Sequence, residues 1–299
     1  MADLVWGIDL GGTKIEGVVL PSRDSAEPLC RLRVPTGAEG GYVQVRRRIC
    51  GLVEDMKAEV GEAPRAIGIG TPGVLDPETG LIKNSNTTCL IGEPLRADLE
   101  TELGVEIAMA NDANCFALAE AALGAGRGAE TVFGIIMGTG VGGGVVVDGR
   151  VLYGCQGIAG EWGHNLLDPA GPDCYCGRRG CVETFLSGPH LERFYAQGAG
   201  RRRSLAEIVD LHRLGSDPHA TATVERLLDY FGRALAVVVN LLDPHVVVLG
   251  GGVSNVGLLY SEGPGRLARW MFNDRCETRI ARNQLGDSAG VFGAAMLVA

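Results

Sequence analysis

His164, Cys174, Cys176 and Cys181 stand close together in the chain, spaced H-x9-C-x-C-x4-C. One imidazole nitrogen and three thiolates suit a closed, tetrahedral zinc site of the structural kind, with no open position for metal-bound water. The residues between them include Pro169, Pro172 and several glycines, which make turns rather than helix or strand. Such a loop cannot fold by burying apolar side chains, so an ion is a natural substitute. The alternative is that some of these cysteines are unrelated buried residues, as six of the chain's nine cysteines look to be.

Two other stretches have the composition to hold phosphate. Leu4–Leu10 is an apolar run that enters Gly11-Gly12-Thr13-Lys14 and returns as Ile15–Leu20. Val132–Met137 does the same through Gly138-Thr139-Gly140, passes Gly142, Gly143 and Gly144, and resumes at Val145–Val147. Each reads as strand, glycine turn, strand. Without Cβ atoms in the turn, backbone N–H groups come close to an anion, and Thr13 and Thr139 each add a hydroxyl. Either stretch alone would be an ordinary hairpin; two of one design point to a duplicated unit. Neither is a Walker loop or a dinucleotide loop, because the chain turns back as a strand. Asp9, just before the first turn, is placed to hold Mg²⁺ through water beside the phosphates.

Asp112 follows the apolar run Val105–Ala110 and precedes the helical run Cys115–Leu123. It could be an N-cap. It could also be a carboxylate at the end of a strand, ready to take the proton of a hydroxyl that attacks a γ-phosphate. Asn84 and Asn86, in the polar segment LIKNSNT, offer amide donors and acceptors suited to sugar hydroxyls, or simply form turns.

The elements that must carry these groups alternate between strand and helix. Helical spacing runs over Glu39–Val60, through 190–242 with its best stripe in Ala222–Leu242, and over a closing helix within Gly286–Ala299. Short strands are expected at Ala66–Gly70, Val105–Ala110 and His245–Leu249, the last entering Gly250-Gly251-Gly252. Gly263-Pro264-Gly265 should start a fresh helix. The net charge of −9 argues against general nucleic-acid binding. No apolar run reaches the ~20 residues of a bilayer span. MADLVWGIDLGG lacks a basic leader and a cleavage site, so the expected location is the cytoplasm.

The pair G-I-D-L-G-G-T-K and M-G-T-G-V-G-G-G resembles the two phosphate motifs of the actin/hexokinase superfamily. N-D-A-N at 111–114, G-x-x-x-E-x-G-H ending at His164, and C-x-C-G-x-x-G-C-x-E ending at Glu183 narrow the resemblance to the ROK family of repressors and sugar kinases. It implies an α/β, two-lobed actin/hexokinase-like (ribonuclease H-like) ATPase fold with a duplicated core. The lobes expected are 1–115 with 286–299, and 116–285. It implies ATP-dependent phosphorylation of a hexose hydroxyl, with Asp112 as general base and Mg²⁺ and structural Zn²⁺ as the ions. ATP would be bound by Asp9, Gly11, Gly12, Thr13, Lys14, Gly138, Thr139, Gly140 and Gly142, and at the adenosine by Gly251 and Gly252. The sugar would meet Thr71, Pro72 and Gly73, then Asn84, Asn86, Asn111 and Asp112, and on the other side Glu161, His164 and Glu183. His164 would ligate zinc with one ring nitrogen and face the sugar with the other.

KNSNT, GEWGHN, CYCG and ETFLSG are most similar to the fructokinase branch, which makes D-fructose the first expectation for the sugar, giving fructose 6-phosphate. NDANCFALAEA and GTGVGGG are shared with N-acetylglucosamine kinases, the runner-up, with glucose a further alternative. Sugar-sensing regulators of the family carry a helix-turn-helix ahead of the first glycine turn; this chain reaches Gly7 within seven residues and is acidic, so none is expected. Family members commonly carry His where this chain has Leu285. A homodimer is the expected assembly.

Overall fold

The computed structural model describes residues 4–299; Met1–Asp3, at the head of the expected first lobe, lie outside the described residues. The chain divides into two compact units. Of the described residues, the first takes in 4–128, Gly144–Ala159 and Gln284–Ala299. The second comprises Ala129–Gly143 and Gly160–Asn283.

In the first unit, strands β1 (Val5–Leu10), β2 (Lys14–Leu20) and β3 (Cys30–Pro35) form an antiparallel meander. Helix α1 (Gly41–Val60) follows, burying Val45, Ile49, Leu52, Val53 and Met56. Those positions recur at helical spacing, and each fully buried aliphatic side chain is worth roughly 1.5–3 kcal/mol. Gly61 ends the helix in the left-handed region, its N–H donating to Lys57 O. Strand β4 (Ala66–Thr71) then enters a two-stranded excursion, β5 (Val74–Leu75) with β6 (Ile82–Lys83). Helix α2 (Leu95–Leu103), strand β7 (Glu106–Asn111) and helix α3 (Asp112–Leu123) complete the run. The sheet order is β3-β2-β1-β4-β7, with β1, β4 and β7 parallel.

A second five-stranded sheet repeats this plan. Strand β8 (Thr131–Met137) turns back into β9 (Val141–Val147), which pairs antiparallel with β10 (Arg150–Val151). Further on, β11 (Val246–Gly250) and β12 (Arg279–Arg282) lie parallel to β8, in the order β10-β9-β8-β11-β12. One strand order, built twice, is the duplicated core that the paired glycine hairpins predict.

Helices fill the second unit between its sheet strands. They are α4 (Glu183–Leu186), α5 (Gly188–Ala199), α6 (Leu205–Arg213) and α7 (Pro218–Leu242). Where the pattern over 190–242 reads as continuous, Gly200 at φ 67° stops α5, and a Ser204–Glu207 capping box starts α6. Helix α7 buries Leu227, Leu228, Phe231, Leu235, Val238 and Val239, and ends at Asp243 before Pro244. Next come α8 (Leu258–Ser261) and α9 (Gly263–Leu267), the latter restarting at Pro264. The closing helix α10 (Ala289–Met296) belongs to the first unit. Among the described residues no helix is long and apolar enough to cross a membrane.

Two expectations need correcting. A boundary between residues 115 and 116 would cut α3, yet the whole helix belongs to the first unit, where Cys115 packs with Ala110 and Ala294. The second glycine turn is also shorter than it reads. Only Gly138-Thr139-Gly140 turns, and Gly142, Gly143 and Gly144 lie inside β9. A Cβ at Gly144 would stand 2.6 Å from Ala113 O, and one at Gly143 would stand 2.7 Å from Gly160 O. Close backbone packing therefore accounts for Gly143 and Gly144.

Candidate active site

The first unit gathers its functional groups at the carboxyl ends of three parallel strands. Asp9 of β1 is level with Gly70 of β4, Gly70 with Ala110 of β7, and Thr71 with Asn111. Gly70 contributes no side chain between the flanking strands, and a Cβ there would stand 3.4 Å from Asp9 Oδ1 and 3.1 Å from Cys115 Sγ. In open α/β sheets ligands bind outside this carboxyl edge.

Asn111 is the N-cap of α3, its side-chain oxygen accepting the Asn114 N–H at 2.8 Å. Asp112 is thereby released from capping and becomes the first helical residue. Its Oδ1 accepts the N–H of Ala113 at 2.8 Å in a partly buried setting. Desolvation by the surrounding protein raises its pKa, against the lowering effect of that N–H and its own. Asp9 is pushed up to about 6, first by desolvation, then by the charges of Asp112 and Glu16, with Lys14 pulling the other way. Two carboxylates at one edge that resist joint ionisation are typical of a site that receives a cation.

The first glycine turn is pinned from beneath. Gly11 N–H donates to Lys14 O, Thr36 N–H to Thr13 O at 3.0 Å and Thr36 Oγ1 to Gly11 O at 2.7 Å, leaving Gly12 and Thr13 exposed. Lys14 Nζ lies 3.4 Å from Oε2 of Glu16, two residues further along β2. Glu16 also meets Arg31 and Arg33; burial pushes its carboxyl up, but their hydrogen bonds outweigh it and hold it below the usual range.

The expected sugar-side residues of this unit divide. Thr71 is buried and its hydroxyl donates to Gly73 O at 2.8 Å, so it holds the turn rather than presenting a free donor. Pro72 is half-buried, and Gly73 packs on Ser85, where a Cβ would stand 2.7 Å from Ser85 Cβ. Asn84 and Asn86 are exposed, and Asn84 adopts φ 52°, the turn conformation that asparagine tolerates.

In the second unit the turn Gly138-Thr139-Gly140 closes with Gly138 N–H donating to Gly140 O at 2.9 Å, and Thr139 is exposed. Gly251 sits against the backbone of Met137 with φ 79°, where no side chain fits, so the expected adenosine glycines Gly251 and Gly252 adjoin the end of β8.

Glu161 and His164 frame a single helical turn, Trp162–His164. His164, Cys174, Cys176 and Cys181 bring their four ligand atoms within 4.8 Å of one another. Cys174 Sγ lies 3.6 Å from His164 Nδ1, and Cys176 Sγ 3.7 Å from Cys181 Sγ. A tetrahedron with Zn–S bonds of about 2.3 Å has edges near 3.8 Å, so the donor set fits a zinc ion. The other nitrogen of His164, Nε2, lies 3.0 Å from Tyr175 Oη, giving it a partner within the loop. Tyr175 is a site residue that the motif does not mark; its place between two ligand cysteines is the one signal of it in the sequence. Glu183 is buried and its Oε2 accepts the Val141 N–H at 3.0 Å.

The profile of the ROK family matches residues 5–299, and the chain belongs to that family. It is 38% identical over 304 aligned positions to the N-acetyl-D-glucosamine kinase of Aliivibrio salmonicida, covering 98% of this chain and 99% of that one. The N-acetyl-D-glucosamine kinase of Vibrio cholerae is 37% identical over the same length. Among solved structures, a ROK hexokinase from Thermus thermophilus superposes with a TM-score of 0.86 at 38% identity, covering 98% of this chain and 97% of that chain. A ROK family glucokinase from Streptomyces griseus, in complex with glucose and AMPPNP, superposes with a TM-score of 0.77 at 31% identity, covering 98% of each. The fold is that of the actin-like sugar kinases.

Proposed function

We propose that this chain phosphorylates a hydroxyl of N-acetyl-D-glucosamine. At the coarser level it is an ATP-dependent sugar kinase, like the relatives it matches from end to end. The observation that carries the finer reading is whole-length identity at 37–38% to chains named for that sugar. D-fructose, the first expectation, finds no support among these relatives. Glucose is a second reading, favoured by the whole-length match to the Streptomyces griseus glucokinase, whose structure holds glucose.

In this reading Asp112 accepts the proton of the attacking hydroxyl. Desolvation makes its carboxylate a stronger base, and its hydrogen bond from Ala113 fixes its direction. Asp9 would hold Mg²⁺ through water, and Gly290 leaves room there, since a Cβ at that position would stand 3.1 Å from Asp9 Oδ2. The ion, when bound, would neutralise phosphate charge. Gly11, Gly12, Thr13 and Lys14, with Gly138, Thr139, Gly140 and Gly142, would offer donors to phosphate oxygens, and Gly251 and Gly252 would pack on adenosine. Glu161, Glu183, Asn84, Asn86 and Asn111 keep the sugar roles that the family resemblance implies, whereas His164, whose Nε2 meets Tyr175 Oη, would have to release that partner to reach the sugar. His164, Cys174, Cys176 and Cys181 would hold one structural zinc. A homodimer completes the proposal.

The deciding experiment incubates the protein with ATP, Mg²⁺ and a panel of N-acetylglucosamine, glucose, mannose and fructose, following ADP. Release with N-acetylglucosamine at the highest kcat/KM supports the proposal, whereas a preference for another sugar replaces the substrate. No release with any sugar removes the kinase reading and favours a sugar-sensing regulator.

A further inference from the structure

The segment that follows the last cysteine of the metal cluster grips the second glycine turn at both ends. On one side Gly188 N–H donates to Gly138 O at 2.9 Å. On the other, Glu183 Oε2 accepts the buried N–H of Val141 at 3.0 Å. A Cβ at Gly140 would stand 2.7 Å from Glu183 Oε2, so the carboxylate lies directly against the turn. The grip begins two residues after Cys181. Thr184 donates to Cys181 O through both its N–H, at 2.9 Å, and its hydroxyl, at 2.8 Å, while Val182 N–H donates to Asn165 O at 3.0 Å, beside His164. From Cys181 to Gly188 the chain is thus one hydrogen-bonded strap between the cluster and the turn.

We propose that Glu183 is a positioning residue for the second phosphate turn, and that the Cys/His loop sets the shape of that turn through it. A carboxylate accepting a buried N–H is among the stronger hydrogen bonds, and its loss leaves that N–H without a partner. The turn offers its backbone to phosphate only while its exit at Val141 is held. Loss of metal in the loop is therefore felt at the nucleotide as well as at the sugar. This goes beyond the sugar contact implied for Glu183, and its consequence for nucleotide affinity rests on the kinase reading.

The test measures amide hydrogen exchange across 137–144 in ligand-free protein, together with affinity for a non-hydrolysable ATP analogue without sugar. Glu183→Ala should speed exchange at Val141 by about tenfold or more, the loss of one hydrogen bond to a charged acceptor, and weaken the analogue by a similar factor. Glu183→Gln, which keeps a carbonyl oxygen for Val141, should restore most of both. Wild-type protein treated with a zinc chelator should show the same local loosening, and it carries the test if Glu183→Ala does not fold. Unchanged exchange at Val141 in Glu183→Ala or, should that variant not fold, in the chelated protein overturns the proposal. Normal exchange responses with no ADP release from any sugar would instead sink the kinase reading alone.

Discussion

The Oε1 atom of Glu120, in α3, accepts the N–H of Leu285 at 2.9 Å, across a long separation in sequence. The same carboxylate accepts from Gln284 N–H at 2.9 Å and Ala125 N–H at 2.8 Å, and Glu120 is fully buried. Leu285 thus contributes its backbone to the fold, and this contact does not depend on which side chain stands there. Glu120 is the hinge point at which the returning chain is fixed before α10.

Glu120→Ala should therefore be strongly destabilising. It leaves the N–H groups of Ala125, Gln284 and Leu285 without their acceptor, the first buried and the others at a partly buried contact, and a stranded buried donor typically costs about 1–3 kcal/mol. Urea unfolding followed by circular dichroism would measure it, and a loss under ~1 kcal/mol would contradict the clamp. Glu120→Gln keeps one acceptor and should fall in between.

Asp9 makes a prediction in pH. Its pKa in the fold is about 6, against an ordinary aspartate value of 3.8. Between these values the folded chain binds a proton that the unfolded chain has released, so stability falls as pH rises through that window and is flat above it. Asp9→Asn removes the effect. The variant should gain melting temperature relative to wild type between about pH 4 and pH 6.5, by the equivalent of at most about 3 kcal/mol. Mg²⁺ should shrink the difference, since a cation favours the charged form. In Asp112→Asn the Asp9 titration, followed by carboxyl-carbon NMR, should move below about 6 through loss of a like charge. No movement would show that the two carboxylates are not coupled.

Local signals made the two glycine hairpins, the metal cluster, α1, α7 and the strand before Asp112 legible in the sequence, because each is encoded within a few turns of chain. What escaped depends on distant partners. Strand β3 carries Arg31 and Arg33 on one face, a pattern that looks like solvated loop until Glu16 on β2 is known to receive both. Glu120 reads as one polar residue in an alanine-rich helix, and nothing near it hints that its partners lie at 284 and 285. The glycines after Gly140 read as turn because composition does not separate a turn from a strand packed backbone to backbone. Glu183 was legible as a motif residue, but its bond to Val141 was not.

Metal removal should be local in its effect. Only the segment around His164, Cys174, Cys176 and Cys181 lacks an apolar alternative, while the buried stripe of α7 and the strands of the sheets do not depend on an ion. We expect about one zinc per chain by elemental analysis. Chelation should expose three further thiols to a thiol reagent and lower the melting temperature by several degrees, with far-ultraviolet circular dichroism nearly unchanged. Absence of zinc from protein purified in zinc-supplemented medium, with these thiols already reactive, would reject the site.

Asp112 allows capping and catalysis to be separated. Because Asn111 supplies the cap to Asn114 N–H, Asp112→Ala removes only the bond to Ala113 N–H from the helix start, worth about 1 kcal/mol. The same change removes the proposed proton acceptor, and kcat should fall by ~10²–10⁴ while KM for the sugar changes little. Asn111→Ala should show the reverse pattern in stability, losing about 1–2 kcal/mol. Steady-state kinetics and urea unfolding of both variants would settle the assignment. If Asp112→Ala retains kcat within about fivefold of wild type, the base lies elsewhere; if it unfolds the protein while Asn111→Ala does not, the helix start has been assigned to the wrong residue.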